Sequence, residues 1–193
     1  LEALLHALVI DIGAGTADFC VMQGRYPTED DQRTLSAAGD SIDEQLEKLV
    51  REHHPDAQFS VHMIRQWKEQ WSFVGEPKDR VLVTAPVKGK ASELDITHEM
   101  RTACESILPP ICETLQDILS KVEPDFQDKV RNNVILAGGS SLIAGLTDAI
   151  QKSLIELGGG RATVVKDPVF AGCDGGLAIA RDASSADWEK LSL

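Results

Sequence analysis

The chain has 193 residues, 42% of them hydrophobic, enough for one substantial core or two smaller lobes. Lys and Arg number 19 against 31 Asp and Glu, and the formal net charge of −12 opposes attraction to nucleic-acid phosphates or anionic lipid. No apolar run reaches the roughly 18 residues of a membrane span, no signal-peptide pattern opens the chain, and Cys20, Cys104, Cys112 and Cys173 are too scattered for a zinc or disulfide framework. A cytoplasmic protein with buried free thiols is expected.

Leu4 to Ile12 is nearly continuous in apolar and β-branched residues, and Phe19 to Met22 resumes that character after a Gly-rich interruption: a strand, a turn and a strand. Gly24 to Ser36 is polar and reads as a loop with at most an irregular strand. Ser41 and Glu44 spell a capping box, and Ile42, Leu46, Leu49 and Val50 share a face, which predicts a helix from Ser41 to His54. A second helix is predicted over Val61–Phe73, with Trp67 and Trp71 in the core, ended by Gly75 and Pro77. Val81–Val87 reads as a strand, and Ile96 closes another short extended piece.

From Thr97 to Val122 the apolar residues keep a helical period, but Pro109 and Pro110 lie in the middle. A proline costs about 3 kcal/mol in a helix interior, so a kink or two abutting helices is expected. Val134–Ala137 is a short buried strand, Gly138 and Gly139 a turn, Leu142–Leu157 an amphipathic helix and Thr163–Val165 a last strand. A final helix from Pro168 carries Gly172, Gly175 and Gly176, an interior so poor in side chains that a close approach to its backbone is expected. Strands followed by alternating helices and strands indicate an α/β domain. The chain opens on Leu1 and enters a strand almost at once, which reads as a cut rather than a beginning.

The strongest chemical signal is Asp11-Ile12-Gly13-Ala14-Gly15-Thr16-Ala17-Asp18 between two strands. Its five specified positions would match by chance in roughly one window per million. It differs from the dinucleotide fingerprint, since Asp18 replaces the third glycine and a strand follows. In such a hairpin the amides of Gly13 and Gly15 can form an anion-binding nest and the Thr16 hydroxyl adds a donor. Asp11, at the strand end, would face the accompanying magnesium through water. The alternative is a tight glycine hairpin with a solvated aspartate.

A second signal is Ile135-Leu136-Ala137-Gly138-Gly139-Ser140-Ser141, a strand ending in paired glycines. A glycine there leaves room for a flat adenine ring, and the serines can cap the next helix; turn geometry alone gives the same spelling. Arg65, Lys68 and Glu69 share a helix face. Spacing alone favours a solvated stripe over a nucleoside-pocket wall in which Glu69 accepts from ribose hydroxyls. Asp40, Asp43 and Glu44 read as favourable charge at a helix start. His53 and His54 suit a helix C-terminus, and with the scattered His6, His62 and His98 they suggest no metal site.

Taken together, these motifs resemble the actin, Hsp70 and sugar-kinase superfamily of ATPases. Asp11 to Asp18 is similar to its second phosphate loop, Leu136 to Ser141 to its adenosine motif, and Gly172 to Ala180 to its second connecting helix. Arg65 to Gly75 resembles the actin helix that lines the nucleotide, and Ala38-Gly39-Asp40 the turn into the same upper subdomain. The whole chain, including Arg25 to Glu29, Phe170 to Gly172 and Asp187 to Lys190, resembles the magnetosome-associated bacterial actins.

The resemblance implies an α/β fold of the RNase H-like, actin-like ATPase type, a mixed sheet with flanking helices. Residues 1–38 and 93–193 would form the lobe and 39–92 an inserted upper subdomain. ATP or ADP with Mg2+ would contact Gly13, Ala14, Gly15, Thr16, Gly39, Lys68, Glu69, Gly138, Gly139 and Ser140, and Asp11 would be catalytic, holding the metal through water. The family's first phosphate loop and water-positioning residue belong to a lobe preceding Leu1, so hydrolysis would need the two-lobed protein. Ala17 departs from the threonine common in related loops. That lobe, further copies in a filament and magnetosome adaptor proteins are the implied partners, with no nucleic acid and no membrane insertion. The implied function is a cytoskeletal filament organising magnetosomes. The alternatives are a truncated copy that co-assembles with or caps filaments without turnover, and half of a sugar or acetate kinase.

Overall fold

The computed structural model describes residues 6–185 and Trp188; the start of the strand expected from Leu4, and Asp187, Glu189 and Lys190 of the tail, lie outside them. Strand β1 (His6–Ile12) pairs antiparallel with β2 (Ala17–Gln23), which pairs antiparallel with β3 (Gln32–Leu35). The irregular strand for which the polar segment left room is thus a regular edge strand, because Phe19 and Cys20 offer a ladder to Arg33 and Gln32. On its other side β1 runs parallel to β6 (Val134–Ala137), and β6 parallel to β7 (Ala162–Val164). The resulting order is β3-β2-β1-β6-β7.

The register sorts the side chains of this sheet. Leu8, Ile10 and Ile12 stand opposite Val21, Phe19 and Ala17, and Leu8 and Ile10 are also opposite Val134 and Leu136. All eight are buried in one core with Ile111, Leu115, Ile118, Val130, Ile150 and Leu154 of the covering helices. Each such side chain, fully buried, contributes roughly 1.5–3 kcal/mol of transfer free energy. The period of two then puts Val9, Asp11, Asp18 and Cys20 on the opposite, less buried face.

Helices α3 (Thr97–Glu105) and α4 (Leu108–Ser120) are separate, with Pro109 and Pro110 in the first turn of α4, where a missing amide breaks no intrahelical bond. A helix absent from the sequence reading, α5 (Pro124–Arg131), begins on Pro124, carries Lys129 and Arg131 in its last turn and packs Phe126 against His6 at 4.6 Å between ring centroids. Helix α6 (Leu146–Glu156) starts at Leu146, not Leu142. Before it, Gly139–Leu142 forms a 3-10 turn and Ala144 pairs with the chain just beyond Trp71: Val74 N–H donates to Ala144 O at 2.8 Å and Ala144 N–H to Ser72 O at 3.2 Å. Residues bonded sideways in this way cannot join a helix.

The inserted region contains α1 (Gly39–His53), α2 (Val61–Trp71) and the hairpin of β4 (Leu82–Val87) and β5 (Lys90–Asp95), so β5 runs through the boundary expected at 92. The Ser41–Glu44 box does not cap α1. The helix starts two residues earlier, and the Ser41 hydroxyl instead accepts from Ala38 N–H at 3.1 Å and donates to Ala38 O at 2.7 Å. Ser60 caps α2 by accepting from Met63 N–H. Trp67 is buried beside Phe59, whereas Trp71 is partly exposed, contrary to its expected place in the core. Of the cysteines only Cys104 is buried, and burial pushes its thiol up to about 11; Cys173 is exposed.

Helix α7 (Ala171–Asp182) has no buried residue, and Phe170, Leu177 and Ile179 are exposed. Among the described residues, nothing beyond the helix's own neighbouring backbone lies within 4 Å of where a Cβ would stand at Gly172, Gly175 or Gly176. Among the described residues, the close approach expected at these glycines is therefore absent.

Candidate functional site

Four segments converge at the end of β1. The β1–β2 turn closes with Gly13 N–H donating to Thr16 O at 2.8 Å, so the Gly13 amide is spent inside the turn and is not part of an anion nest. The Thr16 hydroxyl likewise donates to Asp18 Oδ2 at 2.7 Å. Neither Gly13 nor Gly15 adopts a positive φ. The groups the loop turns outward are at Ala14 and Gly15, both exposed at its tip.

The start of α1 grips this loop from behind. Gly39 N–H donates to Gly13 O at 3.2 Å and Asp40 N–H to Ala14 O at 2.7 Å. These are first-turn amides without intrahelical acceptors, and the loop carbonyls satisfy them. A Cβ at Gly39 would lie 3.0 Å from Ser140 Oγ, 3.2 Å from Ala14 Cα and 3.3 Å from Gly13 O, so Gly39 is the small residue at which three segments meet.

The third segment follows β6. The Ser140 hydroxyl donates to Gly13 O at 2.8 Å, and the Ser141 hydroxyl to Gly138 O at 2.7 Å. Neither caps α6. Gly138 has φ +81° and packs directly on β1, with an added Cβ 2.3 Å from Ile12 O, whereas Gly139 opens onto free space. Room for a flat ring over the backbone therefore exists at Gly139 and not at Gly138.

The fourth segment is α2. Lys68 Nζ donates to Gly39 O at 3.1 Å and stands 2.9 Å from Asp43 Oδ1, and Arg65 Nε is 3.4 Å from Asp43 Oδ2. Asp43, read as helix-start charge, is buried between two cations. The helix face expected from Arg65, Lys68 and Glu69 is thus divided: Arg65 and Lys68 pair across to α1, and Glu69 is exposed and joins no ion pair among the described residues.

The register places Asp11 opposite Asp18 on the open face of the sheet. Partial burial, and secondarily the charge of Asp18, raise the Asp11 carboxyl above its usual range. Thr34 steadies Asp18 by donating to its Oδ1 at 2.6 Å. With two carboxylates opposite each other at the open end of the hairpin, a cation before Asp11 would offset the burial and the repulsion by favouring the charged form, and these oxygen donors fit a magnesium ion. The pairing of Asp11 with Asp18 was legible in the motif itself, since a closed hairpin puts its two flanking acids opposite each other.

A cleft of about 650 Å3 lies elsewhere, lined by residues such as Trp71, Phe73, Val81, Leu108 and Lys152, and holds none of the expected site residues. The histidines are less scattered than the sequence suggested. His53 from the end of α1 meets His98 and the buried Glu99 from the start of α3.

Among known proteins, the MreB/Mbl protein family model matches residues 2–186. The chain is 37% identical over 191 residues to the actin-like protein MamK of Paramagnetospirillum magneticum and 36% identical to that of Magnetospirillum gryphiswaldense, covering 99% of this chain and 55% and 53% of theirs. It therefore spans about half the length of these relatives. Among solved structures it superposes on a MamK double helical filament with a TM-score of 0.90 at 37% identity, covering 95% of this chain and 56% of that one. A non-polymerising MamK mutant bound to AMPPNP gives 0.86 at 38% identity, covering 94% and 56%. With a matching family model over nearly its whole length and an actin-like fold, this chain belongs to the MreB/Mbl family of actin-like proteins.

Proposed function

We propose that this chain forms one wall of an ATP–Mg2+ site in a filament-forming bacterial actin that organises magnetosomes, with 1–38 and 93–193 as the lobe and 39–92 as the inserted upper subdomain. The observation that carries the reading is the meeting of the β1–β2 turn, the start of α1, Ser140 and Lys68 around Gly13 and Gly39. In this reading the tip of the turn at Ala14, Gly15 and Thr16 faces the phosphates. Gly139 and Ser140 border the adenosine, and Lys68 and Glu69 the nucleoside side.

Magnesium, bound before Asp11 through water, would neutralise phosphate charge. The chain's own residues do the positioning. Ser140 and the α1 amides hold the loop carbonyls, so the turn is organised before ligand arrives, which lowers the ordering cost of binding. Filament assembly is supported by the likeness to filament structures at better than one-third identity.

The test is binding of a fluorescent ATP analogue to the chain, with and without Mg2+. Expected is Mg2+-dependent binding that Asp11→Ala weakens by at least about tenfold, on the scale of one charge-assisted interaction. Binding unchanged by Asp11→Ala, or absent at millimolar ATP and Mg2+, would sink the reading. Joined to the remaining half of a relative's sequence, the chain is expected to pellet in ATP; a protein that stays soluble counts against the filament role.

A further inference from the structure

Three histidines surround one buried glutamate at the far end of α1 from the phosphate loop. His53 Nδ1 lies 2.7 Å from Glu99 Oε1, and His54 Nε2 lies 3.7 Å from the same oxygen. His54 Nε2 is buried and has no hydrogen-bond partner among the described residues. His98, next to Glu99 in the first turn of α3, brings its ring to 6.2 Å from that of His53. Donor atoms of His53, His98 and Glu99 all lie within 4.8 Å of one another.

We propose that His53, His98 and Glu99 form a binding site for a zinc-class divalent transition metal. Two imidazoles and a carboxylate are the donor set that such ions prefer, whereas magnesium takes oxygen ligands and keeps its water. Zinc bonds of roughly 2.0–2.2 Å require tetrahedral donors to be about 3.4 Å apart. Reaching that spacing takes rotations of the exposed His53 and His98, in which His53 exchanges its 2.7 Å contact with Glu99 Oε1 for the ion. Glu99, only 6% exposed, is the fixed member.

His54 Nε2, 3.7 Å from Glu99 Oε1, lies beside these three donors but outside the set within 4.8 Å of one another, so the fourth position is left to water. The ion would clamp the end of α1 to the start of α3. These helices carry no residue of the proposed nucleotide wall at this end: the 15 residues of α1 separate His53 from Gly39 by about 21 Å.

The experiment is calorimetric titration of the full chain with ZnCl2, alongside absorption spectra with Co2+ and melting curves with and without Zn2+. Expected are one zinc bound with micromolar affinity or better, tetrahedral Co2+ bands, and a rise in Tm. His98→Gln, at an exposed position that keeps the fold, is expected to weaken binding at least about tenfold and to remove the Tm rise. His53→Gln should weaken it similarly. His62→Gln and Cys173→Ser, which alter exposed donors elsewhere, should leave affinity unchanged. Zinc affinity that survives both His53→Gln and His98→Gln, that falls instead with His62→Gln or Cys173→Ser, or that is no better than millimolar overturns the site. Because none of these readouts uses nucleotide, the result is independent of the ATP proposal.

Discussion

Gly138 rests directly on Asp11: a Cβ at Gly138 would stand 2.4 Å from Asp11 Oδ1. The two motifs, more than 100 residues apart, are therefore one structure, and their contact depends on the residue at 138 having no side chain. Gly138→Ala must both occupy a left-handed φ of +81° and displace the end of β1. The two costs, about 1–2 kcal/mol for the conformation and 1–3 for the overpacking, predict a loss of about 3 kcal/mol in urea unfolding. Gly13→Ala, with φ outside the positive region and only an ordinary 3.4 Å contact, should cost less than about 1 kcal/mol. Equal losses for the two variants would contradict this assignment.

Lys68 joins α2 to α1 through a carboxylate that has little other support. Removing it by Lys68→Ala leaves the buried Asp43 with only the half-exposed Arg65 at 3.4 Å, and about 3 kcal/mol should be lost. Arg65→Ala, acting on an exposed partner, should cost under about 1 kcal/mol. In the Lys68→Ala background, Asp43→Asn should recover part of the loss, which a double-mutant cycle measures. A Lys68→Ala chain as stable as the parent would show that the pair does not hold the helices together.

Ser140 reaches Gly13 O by a single neutral hydrogen bond, so Ser140→Ala should reduce stability by about 1 kcal/mol. If that bond organises the turn for ligand, the same variant weakens the fluorescent ATP analogue as well. Unchanged affinity would confine Ser140 to a structural role.

Asp31 sets an acid limit remote from the site. Burial alone would raise its carboxyl, but Arg25 and the amide and hydroxyl of Thr28 donate to it and hold it down at about 2. Because the folded carboxyl is the stronger acid, its contribution is complete above the unfolded value near 4 and is lost as pH falls through about 2. With Arg25 half exposed and screened, about 1–2 kcal/mol is at stake. Asp31→Asn should lower stability at pH 7 by that amount and flatten the loss between pH 4 and 2. Parallel pH profiles for variant and parent would refute the pairing.

The strand–turn–strand start, the α/β class, both glycine turns and the family are legible in the residues alone, because β-branched runs and glycines at special positions act locally. The sequence also marked the prolines at which α3 and α4 part. Tertiary structure decided the rest. Sideways pairing of Ala144 with Ser72 and Val74 delayed α6, a ladder on β2 made an edge strand of a polar segment, and the packing of α1 on α3 joined His53 to His98 and Glu99, 45 and 46 positions away. It also reassigned the donors of the phosphate loop: Gly13 N–H and the Thr16 hydroxyl serve the hairpin itself. Length and charge bounded the chain without locating any of this, since a net charge of −12 counts acids but not partners. Whether an aspartate faces solvent, as Asp30 does, or is buried between Lys68 and Arg65, as Asp43 is, depends on which helix crosses it, a long-range fact that no local pattern carries.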